Sequence, residues 1–269
     1  MPDPRPAAPP LPAALLGAPI AHRGLHDRAA GVIENSRAAA LAAIAAGYGI
    51  ECDIQPSAEG VPMVFHDDAL DRLTGRPGPI AARPAAELAA TPLTGATAGE
   101  TIPTLADFLA LVAGRTPLLI EIKDQDGALG PRVGPLEARV AALLATYSGP
   151  AAVMSFNPHS VAAMAKAAPG LARGLTTCAF DDAEWPLDPT RRARLAALAD
   201  FDATGSAFVS HDRADLANPA LSRLRARGIP VLTWTIRSAA EEAEARRLAA
   251  NVTFEGYRPG LDAARRTPI

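Results

Sequence analysis

Seven side chains capable of acid–base, metal or anion chemistry lie at or near the ends of short apolar runs in this sequence. They are His22, Arg23, Glu51, Asp53, His66, Glu121 and Lys123. Because side chains alternate between the two faces of a strand, Glu51 and Asp53 share one face if their run is a strand, and so do Glu121 and Lys123. The spacing therefore lets each pair point into one common space.

These residue types together suit one kind of reaction. The three carboxylates offer the oxygen ligands that a hard divalent cation, Mg²⁺ or Ca²⁺, prefers, whereas zinc prefers nitrogen and sulfur. Packed together without a cation they would repel one another and resist ionisation. The two histidines can serve as an acid and a base near neutral pH, and the arginine and the lysine suit a phosphate. The combination predicts phosphodiester cleavage.

Each of these features also has a structural interpretation. A single histidine at a strand end can be a hydrogen-bonded structural residue, a Glu-x-Asp pair can form salt bridges with a helix, and "EIK" can pair across a surface. The functional hypothesis depends on their occurrence together, at the same end of successive predicted strands. His211, which ends the run 207–212, is a further candidate for the same pocket.

The elements that must position these residues alternate regularly along the chain. Strand-like runs lie at 19–23, 49–55, 62–67, 117–123, 151–157, 172–177, 207–212, 230–237 and 251–256. Helices are predicted at about 35–46, 104–113, 133–147, 158–168, 189–199, 216–228 and 238–249. Such alternation predicts parallel strands with right-handed crossovers. About eight units favour a closed TIM (β/α)₈ barrel over an open doubly wound sheet, and active sites of such barrels lie where the strands end.

The domain prediction is simple. Prolines interrupt residues 1–17, which are expected to form a disordered tail and not a signal peptide. Residues 18–269 are expected to form a single domain, with a small Pro-, Gly- and Thr-rich insertion at about 71–103 that covers one mouth of the barrel. Asn35 and Thr104 are the predicted N-caps of the helices that follow them.

Bulk properties exclude several partners. The 269 residues carry a net charge of -3, a pI near 6.0 and only 4% aromatics, which argues against nucleic acid. The sequence contains no run of 18 apolar residues that is free of charged residues and proline, so no integral membrane segment is expected. Cys52 and Cys178 suggest no disulfide framework, so a cytoplasmic location is expected. The oligomeric state stays open.

Several blocks of the sequence resemble the glycerophosphodiester phosphodiesterase family over about residues 18–258. The blocks are "AHRG" (21–24), "ENS" (34–36), "GYGIECDIQPSAEGVPMVFHDDALDRLTG" (47–75), "PTLADFL" (103–109), "LLIEIK" (118–123), "SFNP" (155–158) and "VLTWTIR" (231–237). The HRG, E-x-D and HD motifs at this spacing are specific together, although none is specific alone.

The resemblance implies a role for each residue. It implies a TIM barrel in which Glu51, Asp53 and Glu121 bind one divalent cation, Mg²⁺ or Ca²⁺, and His22 and His66 form the catalytic pair. It further implies that Arg23 and Lys123 hold the non-bridging phosphate oxygens. Trp234 would line the substrate pocket, with a role as a barrel-core filler as the alternative.

The implied reaction is metal-dependent hydrolysis of a glycerophosphodiester to sn-glycerol 3-phosphate and an alcohol. A phosphodiesterase acting on lysophospholipid or sphingomyelin-type substrates, and a non-catalytic barrel that binds phosphorylated ligands, are the alternatives. The chain departs from the family at its last strand, which reads "VTFEGYRP" (252–259) in place of an "ITD" type of sequence. Glu255 is therefore given no catalytic role at this stage.

Overall fold

The computed structural model describes residues 9–97 and 99–261, and within them all nine predicted strands are present. The strands are Ile20–Ala21 (β1), Gly49–Pro56 (β2), Pro62–Val64 (β3), Leu118–Ile122 (β4), Ala151–Ser155 (β5), Ala172–Thr177 (β6), Phe208–Asp212 (β7), Val231–Ile236 (β8) and Asn251–Phe254 (β9). Each begins within one residue of its predicted start and ends at the predicted residue or up to three residues from it.

Eight of the described strands close into a parallel barrel. The order is β1-β2-β4-β5-β6-β7-β8-β9, and β9 pairs with β1 to complete the ring. The ninth strand, β3, lies antiparallel to β2 as a hairpin arm outside the parallel order. The predicted TIM barrel is therefore confirmed, and the run that contains His66 continues the second strand region.

Helices connect the strands. In the described part of the chain they are Arg37–Ala46 (α1), Asp71–Thr74 (α2), Ala85–Ala89 (α3), Leu105–Val112 (α4), Pro135–Leu144 (α5), Pro158–Ala167 (α6), Pro189–Ala196 (α7), Pro219–Ala226 (α8) and Ala239–Ala245 (α9). Thr104 caps α4 as predicted, because its hydroxyl accepts a hydrogen bond from the backbone N–H of Asp107.

The predicted cap of α1 is wrong by one residue. Ser36 is the N-cap, and its hydroxyl accepts from the N–H of Ala39. Asn35 has a φ of 56° and turns its side chain into the barrel mouth, where its amide is hydrogen-bonded to Asp53. A short polar side chain in this left-handed conformation is free to bond a neighbouring strand instead of its own helix.

Alternate residues along each strand face opposite sides of the barrel wall. On β4, Leu118, Ile120 and Ile122 pack into the large core between strands and helices. Leu119 faces the barrel interior, where it belongs to a cluster with residues such as Met154 and Phe208. Because the period is two, Glu121 and Lys123 follow Leu119 on the interior face and emerge at the carboxyl end of the barrel.

The opposite end of the barrel is closed by residues predicted to be disordered. Ala13–Leu16 form a 3₁₀ helix, Leu15 is fully buried, and Leu11 and Leu15 join the interior cluster. The Asn251 side chain donates hydrogen bonds of 2.8 Å to the carbonyls of Leu15 and Ala18. The tail prediction is therefore wrong for residues 9–17, because the open barrel end offers these leucines an apolar surface. Its remainder, residues 1–8, lies outside the described residues.

The segment predicted as an insertion contains α2, α3 and a 3₁₀ helix at Ile80–Ala82. It packs on β3 through a small apolar cluster of its own. The cluster comprises Ile33, Met63, Phe65, Leu70, Leu73, Ile80, Leu88, Leu93 and Ile102. This packing holds α2 beside the residues that follow β3, including His66.

Among the helices of residues 9–97 and 99–261, none is long and apolar enough to cross a membrane.

Candidate active site

The eight residues to which the sequence assigned a role line one cavity at the carboxyl end of the barrel, with a volume of about 200 Å³. They are His22, Arg23, Glu51, Asp53, His66, Glu121, Lys123 and Trp234. The remaining lining residues are Met154, Phe156, Ser210, Thr235, Arg237 and Thr253. The barrel closure thus brings together groups that lie up to 231 residues apart in the sequence, from His22 to Thr253.

The three carboxylates form a compact oxygen cluster. Asp53 on β2 pairs in register with Glu121 on β4, and Glu51 lies two residues before Asp53 on the same face. One oxygen from each lies within 4.8 Å of the other two, and all three side chains are buried. Three converging carboxylate oxygens are a donor set suited to Mg²⁺ or Ca²⁺.

Positively charged side chains lie close to this carboxylate cluster but are fewer than the carboxylates. Lys123 Nζ lies 2.8 Å from Asp53 Oδ1 and 2.6 Å from Glu121 Oε1. Burial opposes ionisation of Asp53, but Lys123, His66 and Arg23 together hold its pKa well below the usual range. Burial and the neighbouring carboxylates Asp53 and Glu121 instead raise the pKa of Glu51 well above its ordinary value. The cluster therefore carries more carboxylates than its own cations neutralise, and a bound divalent cation would supply the missing positive charge.

Arg23 lies in the turn after β1 and has a φ of 54°. Its backbone N–H donates to Glu51 Oε2 at 2.9 Å, and its Nη1 donates to Glu34 at 2.7 Å. Its Nε, 3.4 Å from Asp53 Oδ2, is buried without a hydrogen-bond partner among the described residues. Arg23 therefore connects the turn after β1 to Glu51 and lies beside Asp53. Its Nε remains available as a hydrogen-bond donor.

His66 is held by a chain of ion pairs that reaches the insertion. Its Nδ1 lies 2.7 Å from Asp67 Oδ1, and Arg72 of α2 bonds both oxygens of Asp67 at 2.6 and 2.8 Å. Arg72 also bonds both oxygens of Glu34, at 2.7 and 2.8 Å, and Glu34 in turn holds Arg23. The Arg72 guanidinium thus bonds both Asp67, which holds His66, and Glu34, which holds Arg23. His66 and Arg23 follow different strands.

His22 has a different support. Its Nδ1 lies 2.6 Å from Glu255 Oε2, and the other oxygen of Glu255 accepts from Arg237 Nε at 2.9 Å. Burial lowers the pKa of His22, although Glu255 opposes this effect. The His22–Glu255 contact is a direct consequence of the β1–β9 pairing that closes the barrel.

Aromatic side chains form one wall beside the polar cluster. Phe156 and Trp234 line the cavity with ring centroids 5.6 Å apart, and Trp185 and Phe180 pack behind Phe156 at 4.9 and 6.2 Å. Both tryptophans of the chain therefore lie at the barrel mouth. Trp234 is part of the pocket wall, and its indole N–H donates to the carbonyl of Ser210.

The other histidine candidate does not join this site. His211 is fully buried, with Nδ1 2.7 Å from the Thr177 hydroxyl and Nε2 3.2 Å from Asp215. It is absent from the cavity lining among the described residues. On β7 it contacts Thr177 and Asp215, so its role is structural.

Sequence reasoning assigned no role in the cavity to four charged residues that support it: Glu34, Asp67, Arg72 and Glu255. Glu34, Asp67 and Arg72 lie inside the motif blocks, so a search for opposite charges next to the predicted catalytic residues would have found them. Glu255 carried a weaker signal, namely an acidic residue directly after the last strand. Its partner lies 233 residues away, and only the closed barrel identifies it.

A closed parallel barrel with paired histidines, clustered carboxylates and cations at its carboxyl end defines a TIM-barrel enzyme equipped for phosphoryl chemistry. The model of the glycerophosphoryl diester phosphodiesterase family matches residues 22–253, and the chain belongs to this family. It is a phosphodiester hydrolase, which excludes the non-catalytic alternative.

Solved structures agree with this assignment. The chain is 25% identical to an Oleispira antarctica phosphodiesterase solved in complex with the product sn-glycerol-3-phosphate, with a TM-score of 0.72 over 91% of this chain and 95% of that one. It is 26% identical to a glycerophosphodiester phosphodiesterase from Agrobacterium tumefaciens, with a TM-score of 0.66 over 91% and 98% of the two chains. A Galdieria sulphuraria structure at 18% identity, covering 90% and 94%, shares the fold with a TM-score of 0.72. No protein of curated function matches the chain in sequence.

Proposed function

We propose that this enzyme hydrolyses glycerophosphodiesters to sn-glycerol 3-phosphate and a free alcohol, with a divalent cation and two histidines. The observation that carries the proposal is one cavity lined by two histidines, three buried carboxylates and two cations, in a chain of this family. The Oleispira relative bound to sn-glycerol-3-phosphate supports the identity of the phosphorylated product.

In this mechanism the two histidines divide the proton transfers. His22 takes a proton from the attacking hydroxyl, and His66 donates one to the oxygen of the leaving alcohol. Burial lowers the pKa of His22, which favours the neutral ring that a base requires. The side chain of His66 is more exposed, with 31% of it accessible, and its Nδ1 lies 2.7 Å from Asp67 Oδ1, which holds the ring in place at the cavity.

The residues that would hold the cation are Glu51, Asp53 and Glu121. Their oxygens converge within 4.8 Å, and the excess of buried carboxylate over cationic charge favours a divalent ion at this point. When bound, such a cation supplies positive charge that polarises a phosphoryl group. Arg23 and Lys123, which line the same cavity, would hold the non-bridging phosphate oxygens.

The attacking hydroxyl has two possible sources. It belongs to water in a direct hydrolysis, or to the neighbouring glycerol hydroxyl in a route through a cyclic phosphate. Analysing early reaction mixtures for a cyclic phosphate distinguishes these routes, because only the second produces one.

The central test is turnover of glycerophosphocholine, glycerophosphoethanolamine and bis-p-nitrophenyl phosphate with Mg²⁺, with Ca²⁺ and with EDTA. Release of sn-glycerol 3-phosphate that requires the cation supports the proposal, whereas activity unchanged by EDTA contradicts the metal requirement. Glu51→Gln should raise the cation concentration that is needed. His22→Ala and His66→Ala should each lower kcat by at least about 100-fold, and near-normal turnover in both variants contradicts their roles.

The aromatic wall favours a second candidate substrate class. Phe156, Phe180, Trp185 and Trp234 form an apolar cluster beside the cavity, which is the type of surface that an acyl chain of a lysophospholipid contacts. Adding lysophosphatidylcholine to the same assay tests this candidate. A kcat/KM higher for the lysophospholipid than for glycerophosphocholine would favour it.

A further inference from the structure

We infer that Glu255 is a positioning residue for the reaction, which fixes the tautomer and the orientation of the His22 ring. This inference rests on the proposed function for its kinetic consequence and on the described contacts for its structural basis. The last strand departs from the usual sequence of the family at this position, so the resemblance assigned Glu255 no role.

The pairing is built into the closure of the barrel. Ala21 of β1 is in register with Phe254 of β9, and the N–H of His22 donates to the carbonyl of Phe254 at 2.9 Å. His22 and Glu255 are the next residues on these two strands. Their side chains therefore meet at the carboxyl end of the barrel, with Nδ1 and Oε2 2.6 Å apart.

The chemistry of the contact determines where the proton lies. An ionised carboxylate only accepts hydrogen bonds, so a contact of 2.6 Å requires His22 Nδ1 to carry the hydrogen. The neutral ring then has its lone pair on Nε2, the nitrogen that remains for the cavity that His22 lines. A base in this position needs that arrangement, because Nε2 can accept a proton from the attacking hydroxyl only while it carries a free lone pair.

The second oxygen of Glu255 is fixed independently. Arg237 approaches Oε1 with Nε at 2.9 Å and Nη2 at 2.8 Å, which leaves Oε2 for the histidine. The Glu255 side chain is only 20% exposed, so it is not a freely rotating surface carboxylate. His26 Nε2 lies 3.7 Å from Oε2, too far for a hydrogen bond, so the short imidazole contact belongs to His22 alone among the described residues.

Other charges around the pair do not provide the same constraint. Arg23 and Asp53 both act on His22 through the electrostatic field, in opposite directions. Neither makes a hydrogen bond to the ring in the described structure. Glu255 is therefore the group that sets the geometry of His22.

The decisive experiment is a two-bond ¹H–¹⁵N correlation spectrum of the full-length protein labelled with ¹⁵N-histidine, at about pH 8 where an ordinary histidine is neutral. The chain has five histidines, and the His22 signals are assigned by their loss in His22→Gln. The expected result in the wild type is a His22 ring with the proton on Nδ1. A His22 proton on Nε2, or an equal mixture of the two tautomers, overturns the inference without any need for a Glu255 variant.

Kinetics of two variants provide the second arm. Glu255→Ala should lose the Nδ1–H tautomer, and Glu255→Gln should weaken it because an uncharged amide oxygen is a poorer acceptor than a carboxylate. Each should lower kcat by about 10- to 100-fold, the range found when the carboxylate behind a metal-binding histidine is removed, with KM changed much less. Glu255→Asp should recover part of the rate if it restores the Nδ1–H signal. Wild-type tautomer and wild-type kcat in both Glu255→Gln and Glu255→Ala would overturn the positioning role.

Asp215 offers a matched control. It contacts His211 Nε2 at 3.2 Å, so Asp215→Asn also removes the charge of a carboxylate paired with a histidine, outside the cavity. This variant should leave the His22 signals and kcat within about twofold of the wild type, because the two sites share no contact. A loss in Asp215→Asn equal to that in Glu255→Gln would overturn the specific role of Glu255. Absence of turnover in the wild type would instead refute the proposed substrate, and the tautomer measurement would remain valid.

Discussion

Replacing Arg72 by methionine removes the guanidinium that bridges Glu34 and Asp67 while keeping a long side chain on α2. Burial opposes ionisation of Glu34, but hydrogen bonds from Arg72 and the charge of Arg23 lower its pKa from 4.5 to about 2. Burial likewise opposes ionisation of Asp67, and Arg72 together with His66 lowers its pKa from 3.8 to about 2. Both carboxylates are thus stabilised in their charged form by the folded structure.

The magnitude follows from these pKa values. At about 1.4 kcal/mol for each tenfold change in acidity, the two lowered values correspond to at most about 6 kcal/mol. The Arg72 side chain is 43% exposed, and Arg23 and His66 retain part of the stabilisation. Solvent screening therefore reduces the expected loss in the free energy of unfolding to about 2–3 kcal/mol. For a chain of this size that is a decrease in Tm of about 5–10 °C at pH 7.

The pH dependence distinguishes ion pairing from packing. A carboxyl group whose pKa is lowered on folding contributes stability above its ordinary pKa, and that contribution is lost as the pH falls through the folded value. The difference between the wild type and Arg72→Met should therefore be full above about pH 4.5 and decline towards zero near pH 2. Thermal unfolding followed by circular dichroism across this range measures it.

The control is Arg194→Met, which removes a surface ion pair with Asp200 whose arginine is 54% exposed. It should change the free energy of unfolding by no more than about 1 kcal/mol at any pH. If Arg72→Met and wild type differ as much at pH 2.5 as at pH 7, then Arg72 acts by packing and the electrostatic reasoning is refuted. Equal stabilities at pH 7 would refute it as well.

Substitutions at three further positions test the framework around the site, each by thermal unfolding. Gly24→Ala should cost about 2–4 kcal/mol, because Gly24 has a φ of +77° and an added Cβ would lie 2.8 Å from the Cβ of Ala39; an unchanged Tm would contradict this close approach. Leu15→Ala should cost about 2–4 kcal/mol if the 3₁₀ segment closes the barrel, and a loss below about 1 kcal/mol would show that it does not. Thr104→Ala should cost about 1 kcal/mol, whereas Thr104→Ser should preserve the cap of α4 and most of the stability.

The sequence by itself determined the barrel and most of its site. Alternating strand and helix patterns placed all nine strands, and the period of two put Glu51, Asp53, Glu121 and Lys123 on inward faces. These features are local, because they depend on residues within a few positions of one another. His22 and His66 were found at the ends of their own strand-like runs, which is also a local feature, and the family resemblance joined them as a pair.

The tertiary structure decided what depends on distant partners. Glu255 meets His22 only because β9 pairs with β1, and Arg72 bridges Glu34 and Asp67 only because α2 packs beside β3. Leu15 is buried because the barrel has an open apolar end, which no pattern within residues 1–17 could reveal. Each of these contacts joins segments separated by tens to hundreds of residues. Closure of the chain into a ring therefore sets the surroundings of His22, which local sequence patterns do not encode.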